Sequence, residues 1–245
     1  MDRLDTIYNN NYFRTFMIIF IVIVAFLLVY KISKYLYQHK KKSLYLIEGV
    51  KDGRKTETIG GGTLLPSSTG YEFTFSTWLY IKDWGYKYDQ PKHVFQFGSN
   101  ESPHPRVTLY PQENNLSIEM ATYKRGGVGI ERCDLKNIRV QRWIHLGLVL
   151  QNKTLDVYLN GNLARSCTFE NVPKLLPWGD LIVTKDGGFE GVISDLFYSN
   201  EAFSATHMNF MYRKGHTHID IEKYFANIYP KLENIEKTLQ CIKKI

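Results

Sequence analysis

Gln141-Arg142-Trp143-Ile144-His145-Leu146-Gly147-Leu148-Val149-Leu150, then Gln151-Asn152-Lys153-Thr154, then Leu155-Asp156-Val157-Tyr158-Leu159-Asn160-Gly161 is the stretch that decides the fold. Two apolar runs flank a short polar break, which is a hairpin pattern. Ile144, Leu146, Leu148 and Leu150 fall on one side of the first run. Leu155, Val157 and Leu159 fall on one side of the second, with Asp156, Tyr158 and Asn160 opposite. A period of two marks strands that lay one face on a core. Asn160-Gly161 supplies the positive φ of a tight turn, so a second hairpin continues through Ala164 to Cys167. The double hairpin belongs at the centre of an antiparallel β domain.

Outward from it, the same period recurs. Tyr71, Phe73, Phe75, Thr77, Leu79 and Ile81 face one way, and Trp78 and Tyr80 the other. Apolar groups on both sides predict a strand covered on both faces near Trp78. His93–Phe97 reads as a short strand, and Arg106–Tyr110 with Leu116–Tyr123 as a hairpin around 111–115. Val192–Tyr198 is the last clear strand, with Ile193, Asp195 and Phe197 opposite Val192, Leu196 and Tyr198. The 17 Tyr and 14 Phe of the chain suit strands. Gly60-Gly61-Gly62 lacks the following helix that a phosphate-cradling loop requires and reads as a loop.

Three matches beyond the central one carry a family resemblance. Trp143-x-His145, an alternating strand, a short loop and Leu155-x-Val157-Tyr158-Leu159-Asn160-Gly161 resemble the laminin-G-like branch of the concanavalin A-like lectin/glucanase superfamily. Phe73-Thr74-Phe75-Ser76-Thr77-Trp78-Leu79 is similar to its early strand. Gly188-Phe189-Glu190-Gly191-Val192-Ile193-Ser194-Asp195-Leu196 is similar to its late strand, and Phe203-Ser204 through Met211-Tyr212 to its closing segment. The resemblance spans about 71–215. It implies a mainly β fold, an antiparallel two-sheet jelly-roll sandwich.

The N-terminal part has a different character. Thr15–Tyr30 is sixteen residues without a charge, dominated by Ile, Val, Phe and Leu. As a helix it rises about 24 Å, against a hydrocarbon core of about 30 Å. Tyr12 and Phe13, with Arg14 and Lys31 snorkelling to the interfaces, close the gap. No small-residue cleavage site follows, so a retained anchor is expected over a signal peptide. The expected organisation is an N-terminal tail (1–14), a transmembrane helix (15–37), a basic juxtamembrane segment and linker (38–62), the jelly-roll domain (63–215) and an amphipathic helical tail (216–245). Residues 1–42 hold seven Lys/Arg and two Asp/Glu out of a chain net charge of +7. The basicity is therefore local, which argues against nucleic acid as a partner. Lys31, Lys34, Lys40, Lys41 and Lys42 lie on the C-terminal side of the span. They place the domain on the cytosolic side and attract anionic headgroups of the bilayer, about 1 kcal/mol each near the surface. In the tail, Ile221, Phe225, Ile228, Leu232, Ile235, Leu239 and Ile242 follow a heptad-like spacing broken by Pro230. That seam suits either packing on the domain or membrane, or helix pairing with another protein.

Catalytic patterns are sparse. Glycosidases of this superfamily carry Glu-x-Asp-x-x-Glu, whose spacing puts carboxylates on one strand face for acid/base hydrolysis. The nearest echo, Asp220-Ile221-Glu222, lies in the helical-looking tail. Glu170, Glu190 and Asp195 stand singly, and His145 and His207 have no Ser or Cys beside them in sequence. No enzymatic activity and no catalytic residue is expected. Calcium is a family option, with Asp180, Asp186 and Glu190 as loop carboxylates, but they form no compact calcium loop, and neither metal nor cofactor is assigned. The three cysteines, Cys133, Cys167 and Cys241, are too few for a disulfide framework. Cys133 and Cys167 admit either a bridge between neighbouring strands or reduced, partly buried thiols. The cytosolic placement suits thiols, and leaves the sequons at Asn100, Asn115 and Asn152 unmodified.

One loop stands out as a contact surface. Lys82–Pro91 carries Trp84, Tyr86 and Tyr88 among polar residues. Flat amphipathic rings suit sugars and protein partners alike. The expectation is a membrane-anchored binding or scaffolding protein that offers sandwich loops to a protein or glycan partner. An outward-facing carbohydrate-binding lectin is the alternative. An N-terminal anchor on a minimal domain of this kind resembles the layout of proteins of large double-stranded DNA viruses, which implies a role at an internal virion membrane.

Overall fold

A computed structural model describes residues 11–40, 43–64, 67, 70–175 and 179–216. The N-terminal tail to residue 10, Lys41, Lys42 and the heptad-spaced segment 221–242 lie outside the described residues. The chain forms two units, 1–44 and 45–245.

The first unit holds a single long helix, α1 (Asn11–Lys40). Its stretch Phe13–Ser33 is long and apolar enough to cross a membrane. Lys31, Lys34 and Lys40 fall on its C-terminal half.

The second unit is a sandwich of antiparallel sheets. Its strands, in chain order, are β1 (Ser43–Tyr45, at the junction of the units), β2 (Val50–Asp52), β3 (Glu57–Ile59), β4 (Glu72–Asp83), β5 (Lys92–Gly98), β6 (Pro103–Leu109), β7 (Leu116–Lys124), β8 (Gly127–Leu135), β9 (Trp143–Gln151), β10 (Thr154–Leu159), β11 (Asn162–Thr168), β12 (Leu181–Val183) and β13 (Glu190–Ser199). One helix, α2 (Ala205–Lys214), follows. The first sheet runs β13-β4-β9-β10-β11, with β2 also on β13; the second runs β3-β12-β5-β6-β7-β8. Residues 50–59, expected to be linker, thus give each sheet a strand.

The central hairpins form as the alternation predicts. Leu155 faces Leu150 and Val157 faces Leu148 across β9 and β10. Asn160 and Gly161 both take positive φ at the next turn. Ile144, Leu146, Leu148, Leu150, Leu155 and Val157 are buried, as are Phe73, Phe75, Leu79 and Ile81 of β4. Phe75 meets Phe95 of the opposite sheet with centroids 5.3 Å apart, which places the core between the sheets. Burying one such ring or branched chain stabilises the fold by roughly 1.5–3 kcal/mol.

The other face of β4 and β9 is covered as well. Val149, Tyr158 and Met208 of α2 form a buried cluster, with Ala202 and Phe203 against it. Trp78 stacks on Tyr212, centroids 5.6 Å apart. Ser204 caps α2 by accepting from the His207 amide, satisfying one of the helix's orphan donors.

The last strand departs from simple alternation. Asp195 takes φ 51°, and the pairing of β13 with β4 shifts between Ser194 and Phe197. The bulge inserts an extra residue. Ile193, opposite Leu79, and Tyr198, opposite Phe75, therefore both reach the core, although strict alternation sets them on opposite faces.

Cys133 of β8 and Cys167 of β11 are disulfide-bonded. Of the two states open to this pair, the structure takes the bridge, which ties an edge strand of one sheet to an edge strand of the other.

Candidate functional site

The aromatic loop between β4 and β5 turns much of itself inward. Trp84 is half-buried and its indole N–H donates to the Tyr110 carbonyl at 3.1 Å. Tyr86 donates its hydroxyl to the Gly187 carbonyl at 3.0 Å. Tyr88 stands in solvent, 59% exposed. The three rings do not form one platform; Tyr88 is the ring presented outward.

Beneath Trp84 lies Lys92, buried at the start of β5. Its ammonium sits 5.6 Å from the Trp84 ring centroid and donates to the carbonyls of Tyr110 and Pro111 at 3.4 and 2.8 Å. Burial pulls its pKa below the ordinary value, against the opposing pull of Asp83 and Asp89. The pair Trp84 and Lys92 thus braces the segment Tyr110-Pro111 from behind.

In front of that segment opens a cleft of about 290 Å³, lined by Pro91, Thr108, Tyr110, Pro111, Ser117, Glu119 and Arg132 among others. It lies on the outer face of the second sheet. Val107, Leu109, Leu116 and Ile118 point into the core and are fully buried, so their alternate neighbours point outward. Register then lines those neighbours up in two rungs. His93 faces Thr108, Thr108 faces Ser117, and Ser117 faces Asp134. Gln96 faces Arg106, Arg106 faces Glu119, and Glu119 faces Arg132.

The second rung is largely self-satisfied. Arg106 Nε donates to one Glu119 oxygen at 2.5 Å, and Arg132 Nε to the other at 2.7 Å. The first rung is not. His93 Nδ1, Ser117 Oγ and Asp134 Oδ1 are buried and have no hydrogen-bond partner among the described residues, as is Gln96 Oε1 in the second rung. Native interiors leave few such groups. Burial raises the pKa of Tyr110, and its hydrogen bond to Asp134 adds to the rise. None of Thr108, Tyr110, Ser117, Glu119 and Arg132 belongs to a sequence motif. They come from three strands and a loop, and only register brings them together.

The motif residues instead hold the scaffold. His145 is buried on β9, its Nε2 2.7 Å from Ser76 Oγ, a partner sixty-nine positions away that adjacency in sequence does not reveal. Its backbone amide donates to Asn160 Oδ1 at 2.9 Å, locking the turn of the central motif. Its Nδ1 meets no carboxylate among the described residues, so a Ser–His–acid relay is not assembled. Asp195 accepts from the Gly49 amide and from Ser194 Oγ, at 3.0 and 2.9 Å. Asp180 accepts from the Gly61 amide, while Glu190 pairs with Arg54 and Lys82. Among the described residues, no three His, Cys, Asp or Glu side chains are grouped to hold a metal.

Comparison with known proteins agrees with this architecture. No curated protein matches the chain in sequence. Among solved structures, the receptor-binding domain of botulinum neurotoxin D is similar with a TM-score of 0.51 at 11% identity, over 71% of this chain and 53% of that one. The serotype D binding domain gives 0.52 at 11% identity, over 71% and 51%. The serotype D ligand-binding domain in complex with N-acetylneuraminic acid gives 0.50 at 12% identity, over 71% and 51%. The chain spans about half the length of these neighbours, and at such identities the likeness is one of fold. The sequence model of the concanavalin A-like lectin/glucanases superfamily matches residues 55–209, the greater part of the chain, which belongs to that family.

Proposed function

We propose that this chain is a non-enzymatic, membrane-anchored binding or scaffolding protein, a structural component of a viral membrane that presents its sandwich to a protein or glycan partner. The observation that carries the anchor is exposure. Every residue from Phe13 to Ser33 of α1 is exposed to solvent rather than packed on protein. Twenty-one such residues bury their apolar surface in a bilayer, whose core they are long enough to cross. Lys31, Lys34, Lys40, Lys41 and Lys42 then meet anionic headgroups. The loop bearing Trp84, Tyr86 and Tyr88 offers the partner surface, with Tyr88 as its outward ring. The absence of catalysis is supported by the pairing of Glu119, Glu190, Asp180 and Asp195 with protein partners. The organisation proposed with it is an anchor within 15–37 and a sandwich that ends by 215, with the heptad-spaced segment beyond it lying outside the described residues.

Alkaline carbonate extraction of membranes from cells making the full chain tests this. The chain is expected intact in the membrane pellet. Release into the supernatant, or a product cut behind residue 33, sinks the anchored reading.

The Cys133–Cys167 bridge favours a second reading. Disulfides persist in oxidising compartments, whereas the lysine cluster argues for the cytosolic side. An outward-facing lectin reconciles the bridge at the expense of the charge rule. Protease protection of sealed vesicles separates the two: digestion of the sandwich only after lysis supports the outward reading. Asn100 and Asn152 are exposed and Asn115 is buried, so the outward reading further predicts glycans on the first two sequons alone.

A further inference from the structure

We propose that the tip of the β7–β8 hairpin is a second membrane contact, which docks the sandwich on the anionic surface of the bilayer that α1 enters. The inference rests on the anchored reading above and adds to it a contact made by the sandwich itself.

The first observation is an apolar corner left uncovered. Met120 and Thr122 of β7 point into the core and are fully buried, so Ala121 and Tyr123 point outward. Across the hairpin, Ala121 faces Ile130 and Tyr123 faces Val128, and residues directly opposite share a face. On the other side of β7, Thr122 pairs with Pro173, and the Tyr123 amide donates to the Val172 carbonyl at 2.9 Å. Val172 therefore lies beside Tyr123. Tyr123, Val128, Ile130 and Val172 are 50, 43, 39 and 38% exposed. Apolar side chains gathered in this way mark a contact surface, unlike singly scattered ones.

The second is charge at the same tip. β7 ends at Lys124, Arg125 follows, and Gly126 and Gly127 turn the chain at positive φ. Both cations are exposed, and neither enters an ion pair or a side-chain hydrogen bond among the described residues. The glutamates of the two strands are committed. Glu119 accepts from Arg106 and Arg132, and Glu131 from Thr122 and Asn171. Uncommitted cations beside a tyrosine and branched aliphatic chains match a headgroup layer. The cations meet anionic lipid, and the amphipathic ring sits at headgroup level. An apolar protein partner would leave Lys124 and Arg125 uncompensated.

The third is the place of the tip in the sandwich. Trp84, just past the end of β4, donates to Tyr110, just past the end of β6. β7 runs antiparallel to β6, so the β7–β8 tip lies at the other end, where β4 begins. The chain enters the sandwich from that end too. Asp52 and Val50 pair with Val192 and Ser194, and the Leu46 amide donates to the Leu196 carbonyl. Traced backward, the chain thus runs along β13 toward Ser199, which faces Thr74 near the start of β4. The membrane-crossing stretch closes at Ser33, and α1 ends at Lys40. Helical residues 34–40 rise about 10 Å, and the chain from Lys40 to Tyr45 reaches at most about 18 Å. The entry point is therefore tethered within about 28 Å of the crossing stretch. A tether that short turns a weak surface contact into a populated one. Docking at this end leaves the loop bearing Tyr88, at the far end of the strands, open to a partner.

The test places the full chain, one copy per disc, in lipid nanodiscs of phosphatidylcholine with and without phosphatidylserine, and follows hydrogen–deuterium exchange. The amides of 124–128 are expected to exchange at least threefold more slowly in the anionic discs, with those of the Trp84–Tyr88 loop unchanged. Lys124→Glu with Arg125→Glu is expected to abolish the difference while melting within about two degrees of wild type. Should that pair fail to fold, Arg125→Glu alone carries the comparison. Equal exchange in the two lipids overturns the docking, and so does a difference that survives charge reversal. Slowing seen only when discs hold two copies assigns the corner to a contact between copies of this chain and overturns the bilayer assignment. A chain that enters neither kind of disc sinks the anchored reading itself, whereas one that enters both and exchanges alike sinks the docking alone.

Discussion

Ser76 Oγ and His145 Nε2 lie 2.7 Å apart on neighbouring strands, in the layer that α2 closes over. Burial keeps this imidazole neutral, pushing its pKa from the ordinary 6.5 down to about 4. The unfolded chain binds a proton at His145 near pH 6.5, and the folded chain does not until about pH 4. Full stability is therefore present above pH 6.5 and is lost as pH falls toward 4. The loss from this one group approaches about 3 kcal/mol. Urea unfolding at pH 7.0 and 4.5 should show wild type losing about 2 kcal/mol more than His145→Gln. Equal losses in the two proteins would mean that the ring titrates in the fold as it does in the unfolded chain, and that burial does not hold it neutral.

The bridge between Cys133 and Cys167 closes a separation of 34 residues. Cross-linking a loop of that size is worth about 2–4 kcal/mol through the restricted unfolded chain. Both strands lie at sheet edges, where Arg165 of β11 also donates to the Asp134 carbonyl of β8 and the Glu170 and Asn171 amides donate to Glu131. Reduction, or Cys133→Ser with Cys167→Ser, should lower the melting temperature by about 5–15 °C. A melt that is indifferent to reductant would show that the thiols are unpaired in solution, and would remove the main support for an oxidising compartment.

Gly191 takes φ +154°, and a Cβ there would sit 2.0 Å from the Tyr80 carbonyl oxygen. The clash is with backbone of β4, which cannot rotate away. Gly191→Ala should therefore destabilise the sandwich by about 3 kcal/mol or more, by opening the β4–β13 pairing or forcing strain at the bulge. Equilibrium unfolding measures it; a change below about 0.5 kcal/mol, the scale of an ordinary surface substitution, would contradict the close approach. The motif glycine is thus explained by a contact to a strand that lies more than a hundred residues earlier.

What was legible in the sequence was local. Period two in Ile144–Leu150 and Leu155–Leu159 reports a half-buried strand because adjacent side chains of a strand point to opposite faces, and Asn160-Gly161 reports its own turn. Trp78 and Tyr80 signalled a second covered face, and α2 supplies the cover. The bulge at Asp195 was not legible, since an inserted residue leaves no mark in composition while it reverses the alternation beyond it. The cleft was less legible still. His93, Thr108, Ser117 and Asp134 share a rung only because four strands pair in one register, and no local spacing encodes which strands are neighbours. The loop at Trp84 was visible as an aromatic cluster, but which way each ring turns depends on the Tyr110 and Gly187 carbonyls brought to it by the fold.

That division of the loop gives the last prediction. Trp84 hydrogen-bonds to Tyr110 and covers the Lys92 ammonium. Tyr88 is largely solvated. Trp84→Ala removes ring burial, leaves the Tyr110 carbonyl one donor short and bares a buried cation, so it should cost about 2–4 kcal/mol. Tyr88→Ala should change stability by less than about 0.5 kcal/mol. Trp84→Phe separates the contributions: it keeps most of the ring over Lys92 and loses only the N–H, and should cost about 1 kcal/mol. Thermal and urea unfolding of the three variants checks the order. If Trp84→Ala proves as harmless as Tyr88→Ala, the indole is not a brace, the Tyr110 wall is not held from behind, and the loop is available in full as a contact surface.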